Sequence, residues 1–146
     1  MARAEVLDTS VLIHVIRAPS TWPAFEQDLL TGRLWLSSVV VAELYAGTRS
    51  RQEALQVEHV AAAMRRIGRL LTPTHDEWAQ AGRLMARCIR LQGELRPRDH
   101  LADLLILLSA ARLNGAVLTL SVRHCEAWTR LAVRAGLDVV VSPYQL

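Results

Sequence analysis

The chain has 146 residues, of which 51% are hydrophobic and 21% are charged, a composition typical of a folded globular protein and not of a disordered chain. No apolar run is long enough to span a bilayer, no N-terminal export signal is recognisable, and the two cysteines, Cys88 and Cys125, have neither disulfide-framework nor metal-ligand spacing. These features predict one domain over residues 1–146, no membrane association and a cytoplasmic location.

The basic side chains are all arginines. The 17 Lys+Arg positions contain no lysine, and the net charge is +3. Arginine forms bidentate contacts with phosphate and carboxylate groups, so RNA, DNA and an acidic protein all remain open as partners. A GC-rich genome explains the same bias equally well, and a charge of +3 is too small to establish nucleic-acid binding by itself.

Short apolar strands alternate with helices along the chain. The first half is predicted to contain a strand at Val6, helices in "SVLIHVI" and "TWPAFEQDLL" (the latter capped by Thr21), a strand "RLWLS", and a helix "SSVVVAELYAG" capped by Ser37 or Ser38. The second half is predicted to contain a helix over 52–67, a strand "RLLTP", a helix starting with a Thr74–Glu77 capping box, a helix "RPRDHLADLLILLSAARLNG", a strand "AVLTL", a helix "EAWTRLAVRAG" and a strand "DVVVS". This alternation predicts an α/β fold, with a parallel sheet of four to five short strands flanked by helices.

Three acidic residues are expected at one edge of that sheet. Asp8 follows the first strand, Glu43 lies in the helix after the second, and Asp103 lies in the first half of the helix before the fourth. Open α/β sheets bind ligands at the edge where the strands end, and clustered carboxylates repel one another unless protons or cations compensate. Mg²⁺ and Mn²⁺ take such oxygen ligands and activate water for phosphodiester cleavage. The pattern therefore suggests a nuclease.

Each acid also has an ordinary structural explanation. Asp8 fits a helix N-cap, Glu43 fits a partly exposed helix position, and Asp103 fits an amphipathic helix. The nuclease hypothesis depends on the three acids in combination.

The sequence resembles a known family in four segments. These are "VLDTSVLI", "SSVVVAELYAGT", "DLLILLSAARLNGAVLTLS" and the closing "VVVSP". Together with the order of elements, they resemble the PIN-domain ribonucleases, in particular the VapC-type toxins of bacterial toxin–antitoxin systems. The resemblance implies a single PIN-like domain that cleaves RNA with Mg²⁺ or Mn²⁺. It implies metal binding by Asp8, Glu43 and Asp103, and a role for Ser10 in orienting Asp8 or a metal-bound water.

The resemblance also implies partners. Members of the family are usually dimeric, and a small antitoxin protein that covers the acidic groove keeps them inactive. Two segments, "SVLIHVI" and 52–67, offer apolar faces for a dimer or antitoxin groove, although ordinary core packing explains them as well. The four tryptophans are spread over separate elements, which favours core or dimer packing over stacking on bases.

One segment departs from the family pattern. Thr119 is retained after the fourth strand, but Ser121 replaces an Asn or Asp, and His124-Cys125 replaces an Asp-Phe pair. A fourth carboxylate is therefore missing. Asp99 could compensate from one turn before Asp103, although a helix-start residue is its simpler explanation.

His124 has more than one interpretation. Its side chain could bind a softer metal such as Mn²⁺ or contact phosphate, although a loop histidine is the default. Arg96 and Arg98 precede the Asp103 helix and are candidates for RNA phosphate contacts. Arg83, Arg87 and Arg90 share one helix face and could also hold RNA phosphate, although a solvent-exposed face is the simpler explanation.

The sequence therefore predicts a metal-dependent endoribonuclease toxin that cleaves single-stranded or looped RNA. The alternative is a degenerate PIN domain that binds RNA or a protein without cleaving, which the missing fourth acid supports. A phosphoacceptor domain of the response-regulator type is rejected, because it would need a lysine near the site and the chain has none.

Overall fold

The computed structural model describes residues 3–93 and 96–145, without the side chains of residues 92 and 97–99. The strands are β1 (Glu5–Leu7), β2 (Leu34–Ser37), β3 (Leu70–Leu71), β4 (Ala116–Thr119) and β5 (Val140–Pro143). The helices are α1 (Thr9–Arg17), α2 (Trp22–Leu30), α3 (Ser38–Ala46), α4 (Arg51–Arg66), α5 (His75–Gln92), α6 (Pro97–Arg112) and α7 (Val122–Arg134). A short 3₁₀ turn, Pro19–Thr21, links α1 to α2.

The five strands form one parallel sheet in the order β3-β2-β1-β4-β5. The chain builds outward from β1 to β3 on one side, and then crosses back to place β4 and β5 on the other. The strand order therefore reverses between β1 and β4, which is the position where open α/β sheets form a ligand-binding crevice beyond the strand ends. This sheet confirms the predicted α/β class.

Neither edge of the sheet is long and open. At one edge, β3 has two residues. At the other edge, the amide of Val140 donates to the carbonyl of Gly115, just before β4, and the amide of Tyr144 donates to the carbonyl of Thr119, at the end of β4. Alternate residues of a strand point their backbone N–H and C=O groups in opposite directions. The backbone groups of Val141 and Pro143 therefore point away from β4.

The core lies between the sheet and two groups of helices. Helices α1 to α4 pack mainly on one another, and α5, α6 and α7 form a second group. The "LLILL" run of α6 is buried at all five positions, and β1 contributes the fully buried Val6 and Leu7. Within the described residues, no helix combines the length and the apolarity needed to cross a membrane.

Side-chain caps fix several helix starts as predicted. Ser37 accepts a hydrogen bond from the amide of Val39, and Thr74 and Glu77 form the expected capping box at the start of α5. Two predictions about helix starts are wrong. Thr21 directly precedes α2, but its hydroxyl donates to the carbonyl of Ala18 and makes no cap bond to that helix. The last helix begins at Val122 and not at Glu126, which places His124 in its first turn and not in a loop.

Candidate functional site

Asp8 occupies the N-cap position of α1 without acting as a cap. Its side chain makes no hydrogen bond to the first turn of that helix. Its Oδ2 instead accepts hydrogen bonds from Ser10 Oγ (2.9 Å) and from Thr119 Oγ1 (2.8 Å). Because Thr119 ends β4 and Asp8 follows β1, these contacts cross the point where the strand order reverses. The carboxylate is buried at the predicted crevice.

The two hydroxyl groups on Asp8 are themselves held by backbone amides. The amide of Leu120 donates to Ser10 Oγ over 3.1 Å, and the amide of Ser121 donates to Thr119 Oγ1 over 2.9 Å. An oxygen that accepts from an amide has its own proton available for another acceptor, here the Asp8 carboxylate. Ser121 therefore supports this network through its main chain.

Glu43 is fixed by a residue that the sequence analysis did not identify. The hydroxyl of Thr9 donates to Glu43 Oε1 over 2.6 Å and joins the start of α1 to α3. Burial raises the pKa of the Glu43 carboxyl, the Thr9 hydrogen bond opposes that shift, and the charges of Asp103 and Asp8 raise the pKa further. The structure thus brings all three predicted acids into one electrostatic neighbourhood.

Asp103 is held from the other side of the crevice. Its Oδ2 lies 2.7 Å from Nε2 of His124, which the first turn of α7 places opposite α6. The Asp103 side chain is mostly covered, whereas 59% of the His124 side chain is exposed. The helical start of α7 is what brings this histidine to the acid.

A narrow cavity of about 10 Å³ adjoins two of the three acids. Asp8 and Asp103 line it together with Cys125, Trp128 and apolar residues of α6 and β4. Burial, followed by the charges of Asp8 and Asp103, raises the pKa of the Cys125 thiol to about 12, so the thiol is protonated at neutral pH. Cys125 therefore contributes a neutral wall to the site.

The donor set suits a hard divalent cation. Three carboxylates provide the oxygen ligands that Mg²⁺ and Mn²⁺ prefer. Within residues 3–93 and 96–145, neither Asp8 nor Glu43 forms an ion pair, so their negative charge lacks a partner from the chain. In the same residues, no three His, Cys, Asp or Glu side chains are already gathered around one point as metal ligands. Each acid is instead oriented by its own hydrogen-bond donor.

Comparison with known proteins identifies the fold family. The PIN domain family model matches residues 6–127, a span that includes all three acids. The chain belongs to the PIN domain family. The resemblance carried by the sequence motifs is confirmed at this level. No match was found among curated protein sequences.

Solved structures share the architecture of this PIN domain. The chain is similar to VapBC2 from Rickettsia felis bound to promoter DNA, with a TM-score of 0.67, 16% identity and coverage of 97% of this chain and 99% of that chain. It is also similar to DNA-bound VapBC from Salmonella typhimurium (0.63, 19%, covering 98% of each chain). A third is VapBC-5 from Mycobacterium tuberculosis, a member of a toxin–antitoxin family (0.60, 20%, covering 97% and 99%). At these identities the likeness shows the fold.

The remaining predicted residues are either exposed or outside the described part, and no described contact joins them to the acids. Arg96 is exposed at the start of α6. The side chains of Arg98 and Asp99 lie outside the described residues. A second set of arginines is exposed along α5: Arg83, Arg87 and Arg90.

Sequence reasoning missed Thr9 and Cys125 as neighbours of the site. Thr9 sits between Asp8 and Ser10 in "DTS", and this adjacency is the only signal that could have found it. Cys125 follows His124 in the first turn of α7, a helix that the sequence analysis started too late. The sequence therefore did not indicate that Cys125 lies beside Asp8 and Asp103.

Proposed function

We propose that this PIN domain is a metal-dependent endoribonuclease that acts as the toxin of a toxin–antitoxin pair. The observation that carries the proposal is the placement of Asp8, Glu43 and Asp103 at the crevice, where burial and then the charges of Asp103 and Asp8 raise the pKa of the Glu43 carboxyl. Carboxylates that repel one another at the ligand-binding crevice of a parallel sheet are suited to binding a divalent cation.

Asp8, Glu43 and Asp103 would hold Mg²⁺ or Mn²⁺. When bound there, such a cation would supply Lewis-acid chemistry for phosphodiester hydrolysis. Ser10 and Thr119 fix the orientation of Asp8, and Thr9 fixes that of Glu43. These donors lie on α1 and at the end of β4, so two elements of the fold orient the carboxylates.

The proposed substrate is single-stranded or looped RNA. In-line attack on a phosphodiester needs an accessible backbone, which unpaired RNA provides. Arg96 is exposed at the start of the helix that carries Asp103, so a phosphate contact there would guide the strand toward the acids. We extend the same role to Arg98, its neighbour in sequence.

We also propose a cognate antitoxin and a homodimer. Two of the similar solved structures are VapBC complexes on DNA, and a third is described as a toxin–antitoxin system. For the homodimer, the supporting feature is an apolar groove of about 580 Å³ between α3, α5 and α6, in which Trp78 is 49% exposed. An exposed tryptophan in an apolar groove is typical of a protein interface. In contrast, the buried faces of α1 and α4 belong mostly to the core.

RNA cleavage tests the proposal directly. Wild-type protein is incubated with a labelled unstructured RNA in Mg²⁺ or Mn²⁺, and in EDTA. We expect cleavage that EDTA abolishes, and a loss of at least about 100-fold in Asp8→Asn and Asp103→Asn, because each removes a negative charge that would hold the divalent cation.

The matched control is Asp76→Asn, an exposed aspartate in the first turn of α5. This variant should retain wild-type cleavage. Activity in EDTA, or full activity of Asp8→Asn, would overturn the metal-dependent mechanism. RNA binding without cleavage by the wild type would favour the degenerate alternative.

A further inference from the structure

Each of the three acids has a dedicated hydrogen-bond donor from another part of the chain. Asp8 has Thr119 in addition to Ser10, and Glu43 has Thr9, all through hydroxyl groups. Asp103 differs because its donor is an imidazole. A carboxylate can only accept, so a hydrogen bond in this pair is donated by Nε2 of His124 to Oδ2 of Asp103.

We propose that His124 is a positioning residue for Asp103, holding one carboxylate oxygen so that the other is presented to a divalent cation. This inference rests on the proposed function. The hydrogen bond of 2.7 Å occupies Oδ2, and within the described residues Oδ1 of Asp103 has no hydrogen-bond partner. The helix limits χ1 of Asp103 to a few rotamers, but the carboxylate torsion is broad unless a partner restrains it.

The location of His124 supports a role at the site and not in the core. Its side chain is 59% exposed, so burying it contributes little to folding. Its backbone is fixed by the first turn of α7, and its amide donates to the carbonyl of Ser121. The imidazole therefore projects from a rigid helix start across to α6. Carboxylate ligands held by such partners bind metal about 10- to 100-fold more tightly than unsupported ones.

Mn²⁺ binding, followed by electron paramagnetic resonance, measures this role without RNA. The free-ion signal is titrated with wild type, His124→Ala, His124→Gln and Asp103→Asn. We expect His124→Ala to weaken Mn²⁺ binding by about 10-fold or more. His124→Gln should recover most of that loss, because its amide donates from a position close to that of Nε2.

The same samples report whether the imidazole touches the ion. A positioning role predicts no hyperfine coupling from a directly bound nitrogen in the wild type. Such a coupling, lost in His124→Ala, would overturn the assignment and make His124 a ligand. The control is His59→Ala, an exposed histidine on α4, which should bind Mn²⁺ like the wild type.

Failure of this inference is distinguishable from failure of the proposed function. If His124→Ala binds Mn²⁺ with wild-type affinity while Asp103→Asn does not bind it, the positioning role is wrong and the metal site stands. If Asp103→Asn also binds like the wild type, both proposals fall. Circular dichroism of each variant verifies that the fold is retained.

Discussion

At the scale of single residues, Glu43 shows how the site opposes stability. Burial and two neighbouring carboxylates raise the pKa of its side chain, and the hydrogen bond from Thr9 only partly offsets this. A raised pKa in a folded carboxylic acid means that folding favours the neutral form. At neutral pH, where the unfolded chain ionises, this preference makes Glu43 destabilise the folded chain, which is typical of groups retained for function.

Replacing Glu43 with glutamine tests this conclusion. Below the ordinary Glu pKa of 4.5, the side chain is neutral in folded and unfolded chains alike and carries no penalty. As the pH rises above 4.5, the unfolded chain ionises more readily than the folded one, so stability is lost. Glu43→Gln should therefore be more stable than the wild type at pH 7 and equal to it near pH 4, as measured by thermal unfolding in EDTA.

The gain should stay below about 1 kcal/mol, because Glu43 is only half-buried and solvent screens its repulsion. The amide oxygen of glutamine still accepts the Thr9 hydrogen bond, so that contact is preserved. Glu58→Gln, at an exposed position on α4, should show no such pH-dependent gain. A Glu43→Gln protein that is less stable at both pH values would contradict the electrostatic interpretation.

The acids and the Asp8 donor Ser10 were predictable from sequence, whereas the donors to Glu43 and Asp103 were not. Asp8, Glu43 and Asp103 stand next to apolar runs whose pattern locates strand ends and helix starts, so topology alone predicts a common edge. Thr9 and Glu43 are 34 residues apart in sequence, so only the folded structure shows their hydrogen bond. Likewise, the His124–Asp103 contact depends on where α7 begins.

At the scale of elements, the connection from α6 to β4 is tightly built around Gly115. A Cβ on this residue would lie 2.5 Å from the carbonyl oxygen of Ala4. Real Cβ atoms essentially never come that close to another heavy atom. That carbonyl accepts the amide of Ala116 and so begins the pairing of β1 with β4. The pairing of β1 and β4, which frame the site, therefore requires glycine at position 115.

Gly115→Ala should destabilise the protein by about 1–3 kcal/mol, the typical effect of overpacking, because the clash is with backbone. The matched comparison is Gly82→Ala within α5, where a new Cβ meets nothing within 4 Å. In that helical setting alanine should stabilise by about 0.5–1 kcal/mol. Urea unfolding of both variants checks the opposite signs, and equal effects would refute this interpretation.

Helix starts followed from sequence where a capping side chain marks them. Thr74 and Ser37 cap their helices through hydroxyl groups, and both starts were predicted. The start of α7 carries no such mark, since Ser121 makes no side-chain cap bond. The prediction therefore began that helix at Glu126, in the middle of α7.

At the scale of the whole molecule, the apolar groove beside Trp78 is the proposed dimer face. Val39 and Leu101 line this groove together with Glu43, so the surface borders the acidic site. No single sequence pattern revealed it, because α3, α5 and α6 each contribute only part of it. The tryptophans appeared scattered in sequence, and only the packing of three helices shows that Trp78 has an apolar setting at the surface.

Trp78→Glu should convert the proposed homodimer to a monomer. A buried, unpaired carboxylate at the interface has a desolvation penalty that association must overcome. Light scattering coupled to size-exclusion chromatography measures the mass, which should halve. Leu55→Glu, at a site on α4 that is 56% exposed and outside the groove, should leave the mass unchanged. A dimer that survives Trp78→Glu would place the interface elsewhere.

The two edges of the sheet affect how this chain meets others. One margin ends in a two-residue strand, and the other turns Pro143, which has no amide hydrogen, toward the outside. Another polypeptide can add a strand to a sheet only where an edge strand has a continuous set of free backbone donors and acceptors. Neither edge of this sheet provides such a set over more than a few residues. Both edges therefore disfavour fibril-like stacking, and we expect a regulatory protein to bind through surfaces other than the sheet edges.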